Sequence, residues 1–377
     1  SAMAFVGSKD EVKVMCKILI SGYYGFGNAG DEALLSSILQ ALLELEPQAE
    51  ITVISGNPVE TMSTHKVKAI GRFDMWKIYQ AVYSCDMLIS GGGSLLQDVT
   101  SARSLYYYLS IIALANTLRK RVMIYAQGIG PLRKSLARTT VGHVLNQVSQ
   151  ITVRDHASKE ELLSLGIHDV PITVTADAVL GMHPVDATVG HKLLESYGVT
   201  ADRPIVGVSV RSWKACIDYQ ETLAEALDKI QMTKDAQIVF IPMQHREDTM
   251  EAETIAKLMK TKSTVLADAY STTELLAISG SVDVMIGVRL HALVFSALME
   301  TPCLGISYDP KILNFLHMIG EQPVGDLHTL QVKPMVDRTV EALERKTFTE
   351  ATLEKVHELR RNALENARIA IGMLHDK

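Results

Sequence analysis

Arg289, His291 and Lys311 have the types and spacing to hold an anion and to move a proton. The run Val288-Arg289-Leu290-His291-Ala292 follows VDVMIG, which reads as a buried strand, and opens a helix. Arg289 and His291 therefore fall at a helix N-terminus, where backbone N–H groups and the helix dipole favour negative charge. The next strand, PCLGISY, runs to Asp309-Pro310-Lys311, and parallel connectivity returns its carboxyl end to the same edge. Arg211, which closes GVSVR, joins them there. Arg grips a phosphate or carboxylate through two parallel hydrogen bonds, Lys supplies a point charge, and an unperturbed His, with a pKa of about 6.5, can pass a proton in either direction. A plainer reading of the same residues has Arg289 and Lys311 as ion-paired surface groups and His291 as a capped core histidine.

Three glycine-bearing loops follow strands in the first half of the chain. In Gly25-Phe26-Gly27-Asn28-Ala29-Gly30-Asp31-Glu32 the glycines match G-x-G-x-x-G literally. A dinucleotide site also needs an acidic residue at the end of the second strand, and ITVISGNP supplies Ser55, Gly56 and Asn57 instead. Carboxylates at Asp31 and Glu32 would repel a pyrophosphate seeking the helix N-terminus. Two readings stand: a tight turn with Asp31 as its N-cap, or a loop open to a neutral, hydroxyl-rich ligand. Gly91-Gly92-Gly93-Ser94, followed by Gln97 and Asp98, and Gln127-Gly128-Ile129-Gly130-Pro131-Leu132-Arg133 repeat the pattern. Asn28, Asp31, Gly92, Asp98 and Gln127 are the candidate acceptor-binding positions if these loops form one cradle.

The elements that must position these residues alternate. KILISG, ITVISG, DMLISGGG, RVMIYAQG and ITVRD are short β-rich runs separated by helical patterns, the signature of a parallel sheet with helices on both faces. After Asp177 a stretch with Pro184, Gly190 and Pro204 intervenes, and the alternation restarts at PIVGVSVR. The expected fold class is α/β, with two Rossmann-like doubly wound domains facing across a cleft and a C-terminal helix. The expected divisions are a tag remnant and flexible N-terminus over 1–16, an acceptor domain over 17–183, a linker over 184–203, a donor domain over 204–347 and one amphipathic helix over 348–377. In such sheets ligands sit beyond the carboxyl ends of the strands.

Bulk composition narrows the partners. A chain of 377 residues is long for one core and comfortable for two. With 47% hydrophobic and 21% charged residues it should fold. A formal charge of -6 argues against a nucleic-acid binder, so an anionic ligand must meet a local basic cluster. Cys16, Cys85, Cys216 and Cys303 are far apart without C-x-x-C spacing, suggesting neither zinc nor disulfides and a reducing, cytoplasmic setting. The longest uncharged apolar stretch, Ser104 to Leu118, is too short to span a bilayer and reads as a buried helix.

Taken together, GFGNAGDE, GGGSLLQD, AQGIGPLR and above all GVRLHALVFSALMETPCLGISYDPK resemble the polysaccharide pyruvyltransferase family, in particular its bacterial cell-wall, S-layer-anchoring branch. The likeness runs over nearly the whole chain after residue 17. It implies a glycosyltransferase-B-like pair of domains, no metal and no cofactor, phosphoenolpyruvate as co-substrate, and ketal formation on a sugar. The implied acceptor is a terminal N-acetylmannosamine of a lipid-linked cell-wall precursor, pyruvylated on its 4- and 6-hydroxyls. Carried onto this sequence, Arg289, His291 and Lys311 match the donor-binding positions, with Arg133 and Arg211 as further cations. His291 would protonate the donor's methylene carbon, and Asp31 or Asp98 would serve the acceptor hydroxyl as base or hydrogen-bond partner.

Two rival readings are a sugar-nucleotide glycosyltransferase of the same architecture and a non-enzymatic sugar- or nucleotide-binding module. Peripheral contact with the inner face of the membrane follows only from the acceptor's lipid link, since no amphipathic basic anchor stands out. The sequence carries no signal for oligomeric state.

Overall fold

The structure, a computed structural model, describes residues 15–213 and 218–376. The expected tag remnant at Ser1-Ala2-Met3 and Cys216 lie outside the described residues.

Runs rich in Ile, Val and Leu, buried on both faces, form two all-parallel sheets, as such sheets require when helices cover each side. In the first, β1 (Lys17–Ser21), β2 (Glu50–Ser55), β3 (Lys68–Gly71), β4 (Met87–Gly93), β5 (Arg121–Gln127), β6 (Gln150–Val153) and β7 (Ile172–Val174) lie in the order β3-β2-β1-β4-β5-β6-β7. In the second, β8 (Ile205–Ser209), β9 (Gln237–Phe240), β10 (Ser263–Val265), β11 (Val284–Gly287), β12 (Cys303–Ser307) and β13 (Gly325–Asp326) lie in the order β10-β9-β8-β11-β12-β13. Each order reverses once, between β1 and β4 and between β8 and β11. Those reversals open a crevice at the carboxyl ends of the strands. The Gly25 and Gly91 loops leave the first crevice, and Arg211 and Val288–His291 leave the second.

An apolar core continuous across both domains sets the crevices against each other. It joins Leu34, Leu35 and Ile38 of the helix Ala29–Leu45 to Leu275 and Leu276 of Thr272–Ser279, to Leu293 and Phe295 of Leu290–Leu298, and to Val356, Ala363 and Ala367 of the last helix. That last helix, Glu350–His375, begins at an N-cap on Thr349 and returns from the second domain to pack on the first. Its buried Asn366 accepts from Thr175 Oγ1 at 2.7 Å and donates to the Ala176 carbonyl at 3.3 Å. These bonds fix the segment that carries Asp177.

Some elements differ from expectation. The stretch read as a linker contains the helix Ala187–Glu195, with Gly190 inside it. A Cβ at Gly190 would sit 2.1 Å from the Ala277 carbonyl oxygen, so this glycine serves close helix packing rather than a break. The short edge strands β3 and β13, of four and two residues, carry no apolar run that would announce them in the sequence. The apolar run from Ser104 lies in the helix Ala102–Thr117, and among the described residues no helix is long and apolar enough to cross a membrane.

Candidate active site

The first domain contributes a loop held from within. Gly25 and Gly27 adopt left-handed backbone, φ +85° and +71°, which glycine tolerates without strain. The Gly25 N–H donates to Glu32 Oε1 at 2.8 Å, and His65 Nε2 meets Glu32 Oε2 at 2.9 Å. Asn28 caps the helix, accepting from the Asp31 N–H at 3.1 Å. Glu32 is thus engaged beneath the loop, whereas the Asp31 carboxylate looks across at Gly93, 3.4 Å from where a Cβ would stand there. Burial pushes the Asp31 carboxyl up to about 6. His291, Lys311 and Arg289 pull against that rise, and Glu32 adds to it. A carboxyl titrating there is largely ionised at neutral pH yet basic enough to accept a hydroxyl proton.

The second domain brings His291. β11 ends at Gly287, Arg289 is the N-cap residue, and His291 lies in the first turn of the helix. Its Nε2 meets Asp177 Oδ2 at 3.1 Å, while Asp177 Oδ1 accepts from the Val179 N–H at 3.0 Å. Burial alone would raise the Asp177 carboxyl. The adjoining His291, by charge and hydrogen bond, together with Arg154 and the Val179 N–H, holds it below the usual range. The Nδ1 edge of the ring is turned to Gly30, where a Cβ would stand 2.6 Å from Nδ1. His291 is therefore clasped between Asp177 and the residue preceding Asp31, both supplied by the first domain.

Arg289 binds Asp248 bidentately, Nε to Oδ2 at 3.1 Å and Nη2 to Oδ1 at 2.6 Å. The same buried carboxylate accepts from the N–H groups of Met243 (3.1 Å) and Gln244 (2.9 Å). That turn pairs across the cleft: the Ala29 N–H donates to the Met243 carbonyl at 3.1 Å, and Asn28 Nδ2 donates to Gln244 Oε1 at 3.1 Å. Arg289 shapes the interdomain contact, and its charge still reaches Asp31.

Lys311 sits in the first turn of the helix Pro310–Met318, capped by Asp309. Its Nζ lies 5.7 Å from the Tyr308 ring centroid, and the Arg211 guanidinium lies 5.0 Å from the same centroid. Arg211 Nη1 also donates to the Tyr308 hydroxyl at 2.7 Å. Among the described residues neither cation has a carboxylate within ion-pair distance.

Arg154 is a site residue that sequence reading passed over. It follows β6 within ITVRD as Arg211 follows β8, and that parallel is the available signal. Only 8% exposed, it packs on Gly128, where a Cβ would clash at 2.3 Å, and donates to Ser94 Oγ at 3.0 Å. Its Nε is 3.8 Å from Asp155, whose other oxygen caps Ser158. Arg154, Asp177, Leu290 and Lys311 line one cavity between the domains.

The structure thus brings together Asp31, His291, Lys311 and the charge of Arg289, with Asn28 beside them and Arg211 joined through Tyr308. Other expected site residues are engaged elsewhere. Asp98 is buried and accepts from the Arg133 N–H (3.0 and 2.9 Å) and the Lys134 N–H (2.7 Å), stapling the 131–134 turn. Gln127 is fully buried and donates to the Ser90 carbonyl at 3.0 Å and Ser90 Oγ at 2.8 Å, inside the sheet. Gly92 admits Leu34, whose Cδ2 would lie 3.0 Å from a Cβ, so its smallness serves helix–sheet packing. The Arg133 side chain is exposed, and among the described residues no contact joins it to the cluster.

Comparison with known proteins gives the family and the fold. A profile described as polysaccharide pyruvyl transferase matches residues 28–310, from Asn28 to one residue short of Lys311. The amylovoran biosynthesis protein AmsJ of Erwinia amylovora is 24% identical over 362 residues, covering 81% of this chain and 86% of its own. Among solved structures, S. aureus MnaA in a UDP co-structure superposes with a TM-score of 0.69 at 12% identity, covering 96% of this chain and 99% of that one. Anabaena HepE in complex with UDP and glucose gives 0.64 at 13% identity, over 95% and 99%. A putative UDP-N-acetylglucosamine 2-epimerase from Listeria monocytogenes gives 0.66 at 12%, over 95% of each chain. These structures share the glycosyltransferase-B-like fold of two parallel-sheet α/β domains closed by a C-terminal helix. The chain belongs to the polysaccharide pyruvyl transferase family and is a pyruvyltransferase of polysaccharide biosynthesis.

Proposed function

We propose that the donor is phosphoenolpyruvate and that the acceptor is a sugar presenting two hydroxyls, which are joined in a pyruvate ketal as phosphate is released. The observation that carries this reading is the approach of His291 and Asp31, an acid and a base from different domains whose charges act on each other, beside a cavity that Lys311, Arg154 and His291's partner Asp177 line. Phosphoenolpyruvate, at about -3 near neutral pH, requires such converging cations.

His291 gives its proton to the donor's methylene carbon, and C2 gains oxocarbenium character. Asp177 fixes the ring through Nε2. Nδ1, on the edge facing the acceptor loop, delivers the proton. One acceptor hydroxyl attacks C2 and yields its proton to Asp31. The C2–O bond to phosphate then breaks, with Lys311 and Arg154 balancing the charge on the leaving group, and the second hydroxyl closes the ketal. Of the two hydroxyl protons displaced, one is matched by the new methyl C–H bond and the other leaves on phosphate.

The finer reading takes the acceptor as the terminal N-acetylmannosamine of a lipid-linked secondary cell-wall precursor, pyruvylated at positions 4 and 6 for S-layer anchoring, at the cytoplasmic face of the membrane. Its support is the resemblance of the sequence motifs. Incubation with an acceptor disaccharide and either phosphoenolpyruvate or a UDP-sugar tests the donor. Phosphate release with phosphoenolpyruvate alone is expected, whereas transfer from the UDP-sugar would replace this reading by the glycosyltransferase one.

A further inference from the structure

We infer that the helix Met75–Ser84 and the Phe73 turn before it form a docking face for an anionic lipid surface. The helix buries only Ile78 and Val82. Outward it presents Trp76, 67% exposed, Tyr79 and Tyr83, 64% exposed, stacked in a row with centroid separations of 5.9 and 6.3 Å. Phe73, 75% exposed, and Met75 extend the row. The solvated face of a surface helix is normally charged. Here it is aromatic, with Lys77 as the helix's one charged side chain.

The surrounding charge selects the occupant. Residues 66–121 hold eight Lys and Arg against three Asp and no Glu, in a chain whose formal charge is -6; Lys68 pairs with Glu50, Lys77 with Asp74, and Arg121 bonds the Leu374 and Asp376 carbonyls, while Arg72 and Lys120 lie against the rings themselves. Lys120 Nζ lies 5.7 Å from the Tyr83 ring, so a cation is seated directly on the aromatic row. Rings with an apolar body and polar tip, interleaved with lysines, suit the headgroup layer of a bilayer carrying negative lipids. Two copies of so basic a face would repel each other, which disfavours self-association through it.

The face is continuous with the acceptor loop. Phe73 meets Tyr107 edge-on at 6.2 Å, and the Arg72 guanidinium lies 4.8 Å from Phe73, 4.7 Å from Tyr107 and 5.0 Å from Phe26. Phe26 stands between Gly25 and Gly27 in the loop that leads to Asp31. Docking would therefore place that loop near the bilayer, where a lipid-linked sugar is presented. This purpose rests on the proposed acceptor, while the lipid affinity itself does not.

The test is co-sedimentation of the full chain with vesicles of phosphatidylglycerol and phosphatidylcholine, and of phosphatidylcholine alone, without substrates. The wild type should bind the anionic vesicles, lose them in high salt, and bind roughly tenfold less as Trp76→Ser/Tyr83→Ser. Both substituted side chains are exposed, so the melting temperature and phosphate release with a soluble acceptor should be unchanged. Absence of wild-type binding, or equal binding by the variant, overturns the inference. So does a wild-type dimer, seen by light scattering, that the variant dissolves, because the face would then belong to a second copy. Failure of pyruvyl transfer appears only in the phosphate assay, separate from failure of docking.

Discussion

Replacing Asp31 by Asn should stabilise the protein in mild alkali while removing its activity. The carboxyl is raised from 3.8 to about 6 by burial, against the pull of His291, Lys311 and Arg289. Between those values the folded chain binds more protons than the unfolded one, so stability falls as pH rises through the window, and the loss is complete above the folded pKa. About two units at 1.36 kcal/mol each set an upper bound of about 3 kcal/mol. Partial solvent access screens some of this, and an amide also forfeits about 0.5 kcal/mol of attraction between a carboxylate and the helix N-terminus. The variant should therefore gain about 1 to 2 kcal/mol at about pH 8 and nothing near pH 4. For a chain of this size that is a melting shift of about 1 to 3 °C. Melting at both pH values, with turnover at the higher one, checks it. Turnover should fall about 10²- to 10⁴-fold, as for loss of a general base. A shift equal at the two pH values, or a variant less stable in alkali, would refute the assigned environment of Asp31.

Other perturbations separate the roles. Gly30→Ala places a methyl within 2.6 Å of His291 Nδ1 and should displace the ring, lowering kcat about a hundredfold with little change in the KM for the donor; an unaltered kcat would show that the contact is dispensable. Asp177→Asn should leave the ring free to turn and change the pH profile of kcat as well as its height, a response that a purely structural aspartate would not give. Lys311→Met and Arg154→Met should each raise the KM for phosphoenolpyruvate by tenfold or more, by about 1.4 kcal/mol at least; an unchanged KM would remove that residue from the donor site. Asp98→Ala strips the acceptor from two backbone N–H groups and should cost about 1 to 3 kcal/mol of stability, with acceptor KM shifted less than in Asn28→Ala.

The two-sheet plan was legible because apolar runs broken by polar, glycine-bearing turns are what a doubly covered parallel sheet demands. The helix start at Arg289 and His291 was legible for the same local reason. Partners were not. Asp177 lies 114 residues before His291, and Asp248, on another helix, takes up the guanidinium of Arg289. No spacing rule announces either pair, since only the closing of two sheets against one core creates them. Asp98 and Gln127 show the converse, partners that the spacing did not announce. Gln127 ends β5 and Asp98 lies in the loop after β4, on the edge where ligands gather, yet the chain turns each inward to satisfy backbone or hydroxyl groups that burial would otherwise leave unbonded. Gly190 reads as punctuation in a linker but lies in a helix, admitted by the approach of Ala277.

The central claim, proton delivery from His291 to the donor carbon with attack by the acceptor's hydroxyls, is tested most directly by running the reaction in deuterium oxide and weighing the ketal. The account predicts one solvent deuterium in the new methyl group and one phosphate released per ketal formed, both abolished in His291→Ala. A product without deuterium, or normal turnover by that variant, would contradict it.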